Sequence, residues 1–202
     1  MEQPFDEAAI LRRLRPLAPW ARLAFLLSLT ERLVPNYVAF SKHHDWGEPE
    51  VLQRALDLGW KCLAGQTVER SELEACLARC EEVTPDMDDF QAGHASAGLD
   101  AAVCCASVLE LLLEDDAQKV ADAASLARDT VDMHVQDLES LPLSGPEMEE
   151  KIIQHPLMQR ELKRQREDLE LLEKMERSDS AIAELVRRWR APAVSSIDLP
   201  RV

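Results

Sequence analysis

Glycine, aromatic side chains and basic charge in the middle of the chain are all scarce, and each shortage closes off a class of function. Six glycines in 202 residues provide no glycine-rich loop to cradle a phosphate and no dinucleotide fingerprint. A Gly-x-Ser-x-Gly turn is absent as well. One tyrosine and six glycines, set against abundant Leu, Ala and Glu, lean the chain strongly toward helix. Residues 66–150 hold 21 acids and four bases, a net of −17. Residues 1–65 hold eight of each, residues 151–202 hold nine acids and eleven bases, and the whole chain carries −15. A phosphate backbone is repelled by such a middle, so neither nucleic acid nor an anionic membrane is expected as a partner. The acidic segment reads as a solvated face, with a basic partner or a cation as the sharper alternative.

Cys-x-x-Cys is missing too, which excludes a zinc ribbon and a thioredoxin-type redox motif. Five cysteines, an odd number, argue against a disulfide framework and for a reducing compartment. The first residues are acidic and proline-interrupted rather than basic and then apolar, unlike a signal peptide. The longest apolar run, around 101–113, is broken by Ser107 and Glu110 and is too short to span a bilayer. The expectation is an acidic cytoplasmic protein.

What is present repeats with helical period almost throughout. Helices are predicted over about 5–14, from Pro19 toward Lys42 with Pro35 kinking or dividing it, and from Pro49 to about Ala64. Gly47 is the expected N-cap of the third, with Trp46 stapled to Val51. Ser71-Glu-Leu-Glu74 reads as a capping box opening a helix to about Val83. A helix over 95–114, apolar nearly all round, belongs at the centre of the fold. After Asp116, Ala117, Val120, Ala124, Ala127, Val131 and Leu138 fall on a 3-4 repeat in which His134 fills the missing place. Ser144-Gly-Pro-Glu147 is a second capping box. A last helix runs from Pro156 to about Arg190, with Ser178-Asp-Ser180 a candidate interruption. The prediction is all-α: one helical domain over 1–190, a bundle of about seven or eight helices, and a loose tail over 191–202.

The chemistry-bearing residues are each weighed against a plainer role. His43 and His44 are adjacent, so their side chains point about 100° apart and cannot chelate one ion by themselves. With Lys42 they suit the negative end of a helix dipole, and Phe40–Glu50 reads as a helix ending. Cys76 and Cys80 complete an apolar face with Leu73 and Leu77, as small hydrophobes do. Cys104-Cys105 lies too deep for a ready nucleophile. A calcium loop starting at Asp86 needs Gly at 91 and Glu at 97, where the chain has Gln91 and Ala97. Asp88 or Asp89 is expected to cap a helix instead. No histidine follows a Glu by three, which excludes the usual di-iron bundle site. His134 reads as a hydrogen-bonded core histidine. Glu31 and Asp100 are carboxylates on apolar helix faces, where burial requires a partner or a proton. A structural ion pair with Arg22 or Arg32 is the plainer reading.

Glu31-Arg-Leu-Val-Pro-Asn-Tyr37, Leu56-Asp-Leu-Gly-Trp60, Pro85 with Asp88-Asp-Phe90, and Leu99-Asp-Ala101 together resemble the YjaG-like family. These are small bacterial proteins classed as a domain of unknown function. The resemblance implies a helical, cytoplasmic protein and carries no established activity, cofactor or catalytic residue. It marks Glu31, Asn36, Tyr37, Asp57, Trp60 and Asp100 as candidates for a shared polar site. The leading expectation is a noncatalytic protein–protein interaction or regulatory module, working through a protein partner or as a homodimer. No catalytic residue, metal or cofactor is expected. Ile182, Leu185 and Trp189 form the expected docking face. The alternative is a ligand-binding protein or enzyme with a pocket around Glu31, Tyr37, Asp57 and Asp100.

Overall fold

The computed structural model describes residues 5–90, 94–140 and 145–200. Among them lie nine helices: α1 (Glu7–Leu14), α2 (Pro19–His44), α3 (Pro49–Leu63), α4 (Arg70–Glu82), α5 (Ala95–Leu113), α6 (Ala117–Glu139), α7 (Pro146–Gln154), α8 (Pro156–Lys174) and α9 (Asp179–Trp189). The described residues contain no strand beyond one isolated bridge, Val194 to Pro200. The all-α bundle is therefore as expected, with one helix more than the upper count. The extra one arises where Met175 turns extended and the Ser178 hydroxyl accepts the Ala181 N–H at 3.1 Å, restarting the chain as α9.

α5 is the hub, packed by α2, α3, α4 and α6. It is long and apolar enough to cross a membrane by length and composition; here the neighbouring helices bury it. Close approach is built in at two glycines. A Cβ on Gly98 would stand 2.9 Å from the Phe40 ring, and one on Gly59 would stand 2.8 Å from both Leu27 and Val108. Side chains there would force the helices apart, at a typical overpacking cost of about 1–3 kcal/mol.

α2 runs 26 residues without a break, so Pro35 does not divide it. It ends where the histidine pair sits: Lys42, His43 and His44 occupy the last turn, and Asp45 turns left-handed at φ 51°. His44 packs its ring on Phe40 and Phe90 at 4.9 and 5.0 Å. Trp46 joins the same aromatic cluster, 5.1 Å from Phe90.

Several local expectations are corrected. Glu48, not Gly47, is the N-cap of α3. Gly47 has φ +84° and lies under the Tyr37 hydroxyl, where a side chain would collide. Ser71 lies inside α4, whose N-cap Glu69 makes no side-chain capping bond, so no capping box forms there. Ser144 lies outside the described residues; α7 opens at Pro146 behind Gly145.

Two apolar clusters organise the interior. The main one gathers α1 to α6 with parts of α8 and α9. A smaller one holds Ala97, Val131, Val135, Ile152, Met158 and Ile197. The seam of α6 follows prediction through Val120, Ala124, Ala127 and Val131, then departs from it. His134 is half-buried and Leu138 is 59% exposed, while Val135 is buried. The last turns of α6 have left the main core and face the smaller cluster.

Residues 191–200 were expected to hang free. Instead Ser196 donates its N–H to the Arg32 carbonyl at 2.8 Å and Arg160 reaches the Ser196 carbonyl at 2.9 Å. The Ser195 hydroxyl accepts the N–H groups of Ile197 and Leu199. Small polar residues look like a linker in sequence; here their hydroxyls satisfy the backbone of a strap lying on α2 and α8.

Candidate functional site

The six nominated polar residues reach different parts of the fold. Buried Glu31 accepts the Trp60 indole N–H at 2.8 Å and the Ala191 amide at 2.9 Å. The arginines expected to pair with it are engaged elsewhere, Arg22 with Asp115 and Arg32 with Glu161 and Asp168. Asp57, one turn before Trp60, pairs with Arg190 at 2.7 Å and accepts from Gln53. Glu31, Asp57 and Trp60 thus converge just beyond the end of α9, where the two carboxylates hold its C-cap Arg190 and the following Ala191. Tyr37 donates to the Val83 carbonyl at 2.6 Å, and burial pushes its hydroxyl up to about 12. Asn36 meets Ser196 at 3.4 Å. Asp100 accepts the Thr130 hydroxyl at 2.6 Å; burial raises its carboxyl to about 6, against the lowering effect of that bond.

The expected docking face is closed. Ile182, Leu185 and Trp189 are 7%, 0% and 6% exposed, and the Trp189 indole donates to buried Asp168 at 2.9 Å. The face looked unpartnered because one of its partners, α2, lies far upstream in sequence.

All five cysteines are free thiols. Burial drives the thiols of Cys104 and Cys105 well up from the ordinary value, so neither is a ready thiolate. Among the described residues no three His, Cys, Asp or Glu side chains are grouped to hold a metal ion. Neither Asp88 nor Asp89 caps α5, which starts from left-handed His94; Asp86 instead accepts the Asp88 N–H at 2.9 Å within a turn.

A cleft that the sequence reading did not single out opens between the turn at Met87, the start of α5, the second half of α6 and the strap. Its volume is about 210 Å³. Met87, Met133 and Ile197 supply apolar surface, while His94, Thr130, His134 and Asp137 supply polar groups. Met87 and Met133 are 38% and 45% exposed. The exposed carboxylates Asp86, Asp88 and Asp89 flank Met87 in the chain. His94 and His134 are both held below the usual histidine value, chiefly by burial and then by neighbouring histidines, so both are neutral at pH 7. The signal was available as Thr130, Met133, His134 and Asp137, an i, i+3, i+4, i+7 face of α6 beside its alanine seam.

The family model described as "Protein of unknown function (DUF416)" matches residues 9–199. The chain belongs to this family. Similar curated relatives include the uncharacterized protein YjaG of Escherichia coli strain K12, 29% identical over 180 residues, covering 89% of this chain and 88% of the relative. An uncharacterized Haemophilus influenzae protein is 25% identical over 193 residues, covering 94% of this chain and 96% of the relative. The YjaG-like resemblance is thereby established, and these relatives are bacterial. The crystal structure of a DUF416 family protein from Shewanella baltica OS155 superposes with a TM-score of 0.84, covering 99% of this chain and 100% of that one at 24% identity. The DUF416 fold is therefore shared, and the family brings no activity with it.

Proposed function

We propose that this DUF416 chain is a noncatalytic cytoplasmic docking protein whose cleft beside α6 receives a cationic amphipathic segment of a partner protein. The observation that supports it most directly is where the exposed apolar side chains lie. Of the four large ones among the described residues, Met87 and Met133 meet at the cleft, and Leu138 follows one turn beyond His134. Methionine is adaptable at binding surfaces, and exposed apolar side chains rimmed by charge mark docking sites. The charge selects the partner. All of the cleft's lining except Ile197 lies within the segment of net −17. Its histidines are neutral, Asp137 lines it, and Asp86, Asp88 and Asp89 are neighbours of Met87 in the chain. A basic segment is drawn in, and a second copy of the same acidic chain is disfavoured.

The ligand-pocket alternative around Glu31, Tyr37, Asp57 and Asp100 is less well supported. Each of those groups already serves a separate structural contact.

The test is fluorescence anisotropy with a labelled helical peptide of Leu and Lys at amphipathic spacing. Saturable binding is expected, weakened at least about tenfold, or about 1.4 kcal/mol, by joint Met87→Ser and Met133→Ser substitution. That pair leaves every charge in place. A peptide with Glu for Lys should not bind. Equal affinity of the serine variant would reduce the binding to general attraction by an acidic surface and overturn the reading. Dimer formation abolished by the same substitutions would assign the cleft to a second copy instead.

A further inference from the structure

The other side of the same stretch of α6 borders a larger pocket, of about 350 Å³. Ile152 and Ile153 of α7, Met158 and Leu162 of α8, Met148 and Phe5 supply the apolar half of its lining, and Arg128, Asp132, Gln136 and Glu149 the polar half. The polar residues on its α6 wall are tied into a local charge network. Arg128 donates to Asp132 at 2.9 Å and pairs with Asp129 at 3.0 Å, and Gln136 donates to Asp132 at 2.6 Å. The Arg128 guanidinium also lies 5.5 Å over the Phe5 ring. With Glu149 on the rim, the lining carries one positive and two negative formal charges.

This size falls in the range of small-molecule sites, which are typically apolar with a few placed polar groups. Arg128 Nε is buried without a partner, but the guanidinium charge is already balanced by Asp129 and Asp132, and with Glu149 the residual charge of the wall is negative. We infer that the pocket binds a neutral small molecule with an apolar body and a polar end, and rejects the corresponding carboxylate. This is independent of the docking cleft, which lies across α6.

The test uses N-phenylnaphthylamine, a neutral dye that brightens in apolar surroundings, with the full chain. One saturable site is expected. Decanol should displace the dye, and decanoate should do so at least about tenfold less well. Ile153→Trp, at a half-buried wall position, should fill the pocket and abolish the site, and Leu162→Gln should weaken it. The Met87→Ser and Met133→Ser pair should leave dye binding unchanged. Non-saturable binding, equal displacement by decanoate, or a site kept by Ile153→Trp but lost with the methionines would each overturn the assignment.

Discussion

Between α2, α8 and α9, the polar side chains are shut inside. Arg32 spans Glu161 at 3.1 Å and Asp168 at 3.0 Å, and Ser28 and Trp189 donate to the same aspartate. Gln165 joins Glu161 to the Ala124 carbonyl. Around the second half of α6 the balance is reversed. The small cluster of Val131, Val135, Ile152 and Met158 does not cover its neighbours, and a cleft opens on one side of the helix and a pocket on the other. The closed region holds charges that recognition could have used but spends them on joining the end of the chain to α2. The open region keeps its acidic charge beside exposed apolar surface. A buried ion pair is thus poor evidence of a site, and incomplete packing beside a minor core is better evidence.

That contrast can be broken from either side. The largest effect is expected in the closed region. Arg32→Met leaves Glu161 and Asp168 buried without their cation, and Arg32 Nε, Glu161 Oε2 and Gln165 Oε1 already lack a protein partner. Loss of about 3–5 kcal/mol in urea unfolding is expected. A near-neutral result would mean that this seam is open to water. Trp189→Ala should cost about as much, roughly 3–5 kcal/mol, because the indole is part of the core; a folded variant of unchanged stability would return α9 to the surface.

Asp100 gives a smaller effect with a pH signature. Its carboxyl is raised from 3.8 to about 6 by burial, so the folded state holds the proton more tightly than the unfolded one. Its contribution is fully present below pH 3.8 and is lost as pH rises through about 6. Asp100→Asn keeps an acceptor for Thr130 and cannot ionise. It should gain on the parent between those values and level off above them, by at most about 3 kcal/mol. Thermal melts across that range check it, and a constant difference would contradict the assignment. Smallest of all, Met133→Ser should change stability by less than about 0.5 kcal/mol, since its side chain is already exposed.

The sequence carried the helices well because periodicity and proline positions are local information. α5 was placed at the centre because it is apolar on nearly all sides, and the end of α2 was placed at the histidines by dipole logic. Pairings were beyond reach. Glu31 and Arg32 are neighbours, yet one turns to Trp60 and the turn after α9 while the other turns to α8. No rule of spacing separates those destinations. The α9 face looked free, and the strap looked loose, for the same reason: one partner of each, α2, lies more than 100 residues upstream. The cleft was partly legible, since Met133 and His134 share a face of α6. Met87 reaches it through a turn whose three acids drew attention to cations instead.

Amide chemical-shift mapping with the Leu–Lys peptide tests the central claim most directly, because it reports location as well as affinity. Shifts confined to the turn at Met87, residues 94–97, residues 130–138 and the strap around Ile197 are expected. Shifts spread along the acidic surface, or centred elsewhere in the bundle, would contradict a docking cleft beside α6.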